Sequence, residues 1–386
     1  MRGRYHIEVK RAHLISIALM FAACSGGGGG GVGGLLPATP TPVPAPPPPS
    51  IANVQRISAD TFTNSGSQHA TEVEPSVTTN GSTIVAAFQS GRFFGLGSSD
   101  ISFATSFDGG TSWHAGTLPA TTHYTLPPGP YDSISDPSIA HDAAHATWLI
   151  SALPVVSNSG NVPGVVVSHS QDGITWSDPI DVTPANETTN DKSWITCDNY
   201  LSSPYYGHCY VEWDSYGGTG SIFMSVSRDG GQTWSAPGHP NPDRDGFDGQ
   251  PVVQPNGNVI VPIDDGNAAS VLAFRSNDGG ATWSAPVTVA TIADHLIAGN
   301  LRSLPLISAA SDAAGKVYVV WQDCRFRTKC ASNDLVMSTS SDGVTWSSPL
   351  RIPADDVTSS VDHFIPGLSI EPGTSGDAHI ALTYYS

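Results

Sequence analysis

Charge is scarce in this 386-residue chain: only 13% of its residues are Asp, Glu, Lys or Arg. Basic charge is scarcer still, with 16 Lys and Arg against 34 Asp and Glu, a formal net charge of −18. Such a balance excludes nucleic-acid binding by phosphate neutralisation and opposes docking on anionic lipid. Long apolar runs are also missing, since the stretch LISIALMFAA (Leu14 to Ala23) is too short to span a bilayer. Beyond it no window combines helix caps with a 3.6-residue apolar period, which argues against a helical protein. Nucleophile-elbow, phosphate-loop and H-E-x-x-H patterns are absent, removing three common kinds of catalytic site. What the chain does have is 40 glycines and 31 prolines, a composition suited to many short strands joined by tight turns.

The N-terminus reads as an export signal. Arg2, Arg4, Lys10 and Arg11 form a basic start before the apolar stretch and Cys24. The segment FAAC resembles the lipobox of bacterial lipoproteins, which implies lipidation at Cys24; ordinary cleavage after Ala23 is the alternative. Residues 24–50 are a glycine run followed by PATPTPVPAPPPPS, a tether that would reach on the order of 80 Å when extended. Removing residues 1–23 takes away four basic residues and Glu8, lowering the net charge from −18 to −21. The expected location is the cell envelope, with the membrane touched only through the N-terminal lipid. Setting Cys24 aside, Cys197 with Cys209 and Cys324 with Cys330 form two local pairs, read as disulfides of an exported chain.

One phrase recurs five times, as SFDGGTSW (Ser106 to Trp113), SQDGITW (Ser170 to Trp176), SRDGGQTW (Ser227 to Trp234), SNDGGATW (Ser276 to Trp283) and SSDGVTW (Ser340 to Trp346). The aspartates Asp108, Asp172, Asp229, Asp278 and Asp342 are 64, 57, 49 and 64 residues apart, a propeller or solenoid period. Alternating apolar residues precede each copy and a short strand follows it. The phrase is therefore a hairpin turn, with Asp accepting backbone N–H bonds and Gly taking positive φ. These aspartates are turn staples rather than catalysts.

The phrases resemble the Asp-boxes, or BNR repeats, of the sialidase-like β-propeller superfamily, over nearly everything from Ile51 onward. The resemblance implies an all-β, six-bladed Asp-box propeller over residues 51–386, with first strands opening near Glu74, Asp136, Asp191, Gln250, Ser303 and His363. The sixth blade has no Asp-box and stops after its second strand. We expect NVQRIS (Asn53 to Ser58) to be its fourth strand and the chain to be a fragment.

Strand polarity places Glu72, Glu74, Arg92, Asp136, Asp191, Lys192, Glu212, Asp214, Asp248, Asp264, Asp265, Arg302, Asp323, Arg325, Asp362, Tyr384 and Tyr385 on the face opposite the boxes. The resemblance implies an exo-α-sialidase or related glycoside hydrolase acting through Arg302, Tyr384 or Tyr385, and Glu212. Arg92, Asp136, Asp191, Asp323, Arg325 and Asp362 would bind the ligand, a glycan or glycoconjugate. The departures favour the alternative, a non-catalytic surface module for glycan or protein. The chain has EVEPSV (Glu72 to Val77) where the family opens with Arg-Ile-Pro, and Asp362–His363 where another arginine belongs. Arg351-Ile-Pro lies instead on an outer strand. No cofactor is required. Calcium is an option only at DRDGFDG (Asp243 to Gly249), where a plain turn is favoured. His141 and His145 have zinc-like spacing but sit in a turn, and Trp194 and Trp213 are stacking candidates for a sugar.

Overall fold

A computed structural model describes residues 54–156, 161–182, 189–215, 221–299, 301–376 and 378–386. The signal segment, the tether and Cys24 lie outside the described residues. Within them the fold is all-β, with one short 3-10 turn at Thr328–Cys330. No helix there is long and apolar enough to cross a membrane.

The chain builds antiparallel sheets one after another. The first joins β1 (Ser67–Asn80), β2 (Thr83–Phe93), β3 (Ser98–Ser106) and β4 (His114–Thr117) in sequence order. The second repeats this with β5 (Ser133–Asp142), β6 (Thr147–Val155), β7 (Val166–Ser170) and β8 (Ile180–Asp181), and a single Ser98–Ile134 pairing of β3 with β5 joins it to the first. A third holds β9 (Asn190–Cys197), β10 (Cys209–Ser215) and β11 (Ile222–Ser227). In the fourth, β12 (Gly246–Phe247) and β13 (Val252–Val253) both pair with β14 (Val259–Asp265), followed by β15 (Ser270–Ser276) and β16 (Val287–Thr291). The fifth is β17 (Ser308–Ser311), β18 (Val317–Asp323), β19 (Asp334–Ser340) and β20 (Leu350–Ile352). The last is a two-stranded pair, β21 (Phe364–Ile370) and β22 (Ile380–Tyr385).

The first strand of each sheet packs against the first strand of the next, and each gap between sheets is filled by its own apolar cluster. A side-chain latch repeats along these inner strands. Ser76 Oγ accepts the Ile139 N–H, Ser138 Oγ accepts that of Ile195, Gln250 Oε1 that of Ala309, and Ser308 Oγ that of Leu368. Backbone groups with no ladder partner on that side are thereby satisfied. Inner-strand residues surround a cavity of about 360 Å³ lined by Val77, Ile139, Trp194, Val252 and Ala309 among others.

Both cysteine pairs are bonded, Cys197 with Cys209 across the β9–β10 ladder and Cys324 with Cys330 within one loop. The repeated phrase forms the expected turns. In the third copy Asp229 Oδ1 accepts the N–H groups of Gln232 and Thr233, at 3.1 and 3.0 Å, and the Ser227 hydroxyl at 2.9 Å. Gly230 takes φ 73° and Trp234 Nε1 donates back to Gly231 O. Asp172 and Asp342 are held at about 2, mainly by the backbone N–H groups of Thr175 and Ile174 and of Thr345 and Val344. By analogy with a helix N-cap, Asp229→Ala should cost about 1 kcal/mol, seen as a lower urea midpoint at unchanged slope.

One expectation fails. Of NVQRIS, the residues from Val54 onward form no strand, and Ile57 packs on Ala86, Phe88, Ala104 and Trp113 of the first sheet. Among the described residues β22 pairs only with β21. The inner strands of the fourth and fifth sheets also come out shorter than read, because Pro251 and Pro305 cannot donate to a ladder.

Candidate functional site

Near their starts the inner strands share a second regularity. Glu74, Asp136 and Lys192 adopt φ 54°, 50° and 51° where the ladder to the second strand shifts register, and Asp248 (φ 58°) sits in the break between β12 and β13. Bulges of this kind turn a side chain out of its alternating position. Here they aim four charged groups at one another from four sheets. Lys192 Nζ lies 3.2 Å from Asp248 Oδ1, and Asp136 and Glu74 are its next charged neighbours.

Hydrogen bonds fix this centre. Gln89 Nε2 donates to Glu74 and, at 3.2 Å, to Ser135 Oγ, which in turn donates to Asp136. Asp248 is held on three sides, by Lys192, by the Ile307 N–H on Oδ2 at 3.0 Å, and through its own N–H to Asp214 Oδ2 at 3.1 Å. Beneath lie Glu212 and Asp214 at the end of β10 and Asp264 at the end of β14, all fully or almost fully buried. Both carboxylate oxygens of Asp264 have no hydrogen-bond partner, and the Glu212 carboxyl has the Gly249 backbone N–H beside it.

The electrostatics follow from this packing. Glu74 is exposed as a residue, while its carboxyl is crowded by Gln89, Asp136 and Lys192. Desolvation, then repulsion from Asp136, lifts its pKa to about 7 against the pull of Lys192 and Arg92. Burial pushes Glu212, Asp214 and Asp264 well above the carboxylate range, with repulsion from neighbouring aspartates adding to it. Asp248 is raised by burial although Lys192 pulls it down, and Asp248 in turn raises Lys192. A carboxyl near 7 with a second carboxyl beside it is the arrangement a general acid–base needs.

The residues expected from sequence divide into three groups. Asp136, Asp191 and Glu212 belong to the centre. Arg92 is close enough to act on Glu74, but its guanidinium donates to Phe93 O and, at 3.0 Å, to Gly97 O. A second group gathers on the fifth sheet. Arg325 holds Asp323 at 2.9 and 2.7 Å and also donates to Thr291 O, while Asp362 contacts His295 Nδ1 and accepts the Asn333 N–H. Arg302 is exposed on the segment leading into β17. The tyrosines form the third group: Tyr384 packs edge-on to His363 and Tyr385 stacks on Phe364. No hydrogen bond joins Glu212 to either tyrosine.

Other residues also separate. His141 contacts Asn80 and Trp148, whereas His145 binds Asp142. Trp213 is buried against Phe223, and Trp194 lines the cavity between the inner strands. In the Asp243–Gly249 loop Asp243 accepts from Ser221 while Asp248 serves the centre. Asp334, Asp355 and His363 are the one described donor trio close enough to share a metal ion. Arg327 and Arg351 already bridge both of those aspartates, so the group is a charge-balanced ion network.

Strand polarity had placed Glu74, Lys192 and Asp248 on this face without singling them out. The usable signal was the acid directly before Pro75 and Pro137 where β1 and β5 bulge.

Residues 82–352 match the family model for the BNR repeat-like domain. No curated protein matches significantly in sequence. Among solved structures, the Hadza microbial sialidase Hz136 aligns with a TM-score of 0.53 at 16% identity, over 82% of this chain and 65% of its own. The chain thus spans just under two thirds of that protein. An intramolecular trans-sialidase from Ruminococcus gnavus, in complex with oseltamivir carboxylate, aligns at 0.53 and 14% identity, over 85% and 96%. A protein of unknown function from Dyadobacter fermentans aligns at 0.52 and 17%, over 84% and 96%. At such identities the likeness is one of fold.

Proposed function

Because the chain belongs to the BNR repeat-like domain family, we propose that residues 51–386 are a six-bladed Asp-box propeller that binds glycans at its carboxylate centre and hydrolyses them there. The carrying observation is the convergence of Glu74, Asp136, Lys192 and Asp248 from four successive sheets. Glu74 is the proton donor to the leaving oxygen, and Asp136 is the second carboxyl group of the pair. Lys192 pairs with Asp248 at 3.2 Å and opposes the rise that burial gives it. The domain is exported and held from the envelope by the 24–50 tether, lipidated at Cys24.

Sialic acid is a poor fit. Its carboxylate calls for free arginines, while Arg92 and Arg325 are spent on carbonyls and on Asp323. A second reading, a non-catalytic binding surface, draws support from the unformed tyrosine–glutamate pair.

A panel of fluorogenic neutral glycosides and an α-sialoside separates these readings. We expect turnover of a neutral glycoside that drops by about 10²–10⁴ in Glu74→Gln. Activity should decline as pH rises above about 7, where the donor loses its proton. Glycan binding without turnover would leave the non-catalytic reading. Sialoside turnover abolished by Arg302→Ala but not by Glu74→Gln would overturn this assignment.

A further inference from the structure

The centre also states what kind of ligand it selects, an inference that rests on the glycan reading above. We propose that it recognises a protonated amine on the ligand, so that its substrates are amino-bearing, non-acetylated glycans rather than acidic ones.

Three observations carry this. The centre already holds one ammonium: Lys192 Nζ is 3.2 Å from Asp248 Oδ1, with Asp136 and Glu74 as its next charged neighbours. Carboxyl groups outnumber cations there, and neither cation is spare for an anion, because Lys192 serves Asp248 and Arg92 serves two carbonyls. Finally, Glu212 and Asp264 are wholly buried, and both carboxylate oxygens of Asp264 are unpartnered. Both lie against Asp248 in the electrostatics of the site. A polar group buried without a partner is costly. A positive charge arriving at the mouth lowers the cost of ionising them, which an anion or a neutral acetamide does not. A single metal ion suits this centre less well, since the one described trio of donors close enough to share an ion is Asp334, Asp355 and His363 on another sheet.

The test is calorimetric titration of the purified chain with three probes: glucosamine hexamer, N-acetylglucosamine hexamer and 3′-sialyllactose. We expect the glucosamine hexamer to bind at least tenfold tighter than its acetylated counterpart at pH 6, with a 1:1 stoichiometry. A polycation also feels the −18 charge of the whole chain, so the deciding comparison is between variants. Glu74→Gln with Asp136→Asn should weaken the glucosamine hexamer at least tenfold. Asp178→Asn with Glu371→Gln removes at least as much charge elsewhere and should weaken it less than twofold. Asp136→Asn alone gives the same comparison if the double variant folds poorly. Equal weakening by both pairs would reduce the effect to bulk charge and overturn the proposal. Tighter, Glu74-dependent binding of the acetylated or sialylated probe would overturn it while leaving the glycan site standing. Absence of binding by every probe would bring down both. Calcium chloride alone, titrating one Asp136-dependent site at micromolar concentration, would reassign the centre to a metal.

Discussion

Arg327→Ala should destabilise the protein by about 3–5 kcal/mol, the largest loss expected from any single side chain outside the apolar core. Arg327 has 1% of its side chain exposed and lies 2.6 Å from Asp334 Oδ1 and 2.5 Å from Asp355 Oδ1. It also donates to Asp356 O and, at 3.2 Å, to Ser359 O. One guanidinium thus ties the β18–β19 loop to β19 and to the 355–359 segment. Arg351 completes the network at 2.8 Å from Asp334 Oδ2 and 3.0 Å from Asp355 Oδ1. Burial holds His363 below its usual pKa, so it enters as a neutral ring. Removing Arg327 leaves two aspartates sharing one cation in a site where Asp334 has no solvent exposure. Arg351→Ala should cost less, because the half-buried Arg351 can be replaced by water while Arg327 still spans both carboxylates. Urea unfolding of the two variants checks the order. Equal losses, or a loss below about 1 kcal/mol at Arg327, would show that water repairs the buried site.

The parts of this protein readable from sequence are those whose partners are near in the chain. Each Asp-box is closed within a few residues by Ser, Asp and Gly, and Cys324 meets Cys330 inside one loop, so spacing alone revealed them. The inner-strand acids were readable by face, since alternation and turn polarity decide which end of a strand a residue occupies. Their pairing was not. Lys192 meets Asp248 from a neighbouring sheet, and only the bulges at Glu74, Asp136 and Lys192 bring such groups together. Arg302 and the two tyrosines were placed by resemblance; Tyr384 packs in an apolar cluster beside His363, and Arg302 is exposed on the segment before β17. Arg351-Ile-Pro illustrates the converse, an outer-strand motif whose arginine closes a buried network.

The other large effect lies under the centre. The wild-type chain should lose stability as pH rises from 5 to 8, and Glu212→Gln or Asp264→Asn should flatten that dependence and stabilise the protein at pH 8. Burial raises the folded-state pKa of both groups well above the carboxylate range. In the unfolded chain they ionise near 4. Below that value both states carry the proton and the groups contribute no pH dependence. Above it the unfolded chain releases a proton that the folded chain retains. Each group therefore costs about 1.4 kcal/mol per pH unit until its folded pKa is reached, after which the full penalty remains. The amide variants carry no such proton and escape that cost, although each leaves an N–H₂ group that must find a partner. The box aspartates Asp172 and Asp342 work in the opposite sense, with folded values near 2. The stability they add is present above about 4 and lost as pH falls below it, so they leave the window from 5 to 8 undisturbed. Denaturant midpoints of the wild-type chain and the two variants at pH 5, 6.5 and 8 give the answer. If wild-type stability rises across that window, Glu212 and Asp264 are ionised in the folded state and the Lys192 field outweighs their burial. The centre would then hold its full negative charge without any ligand.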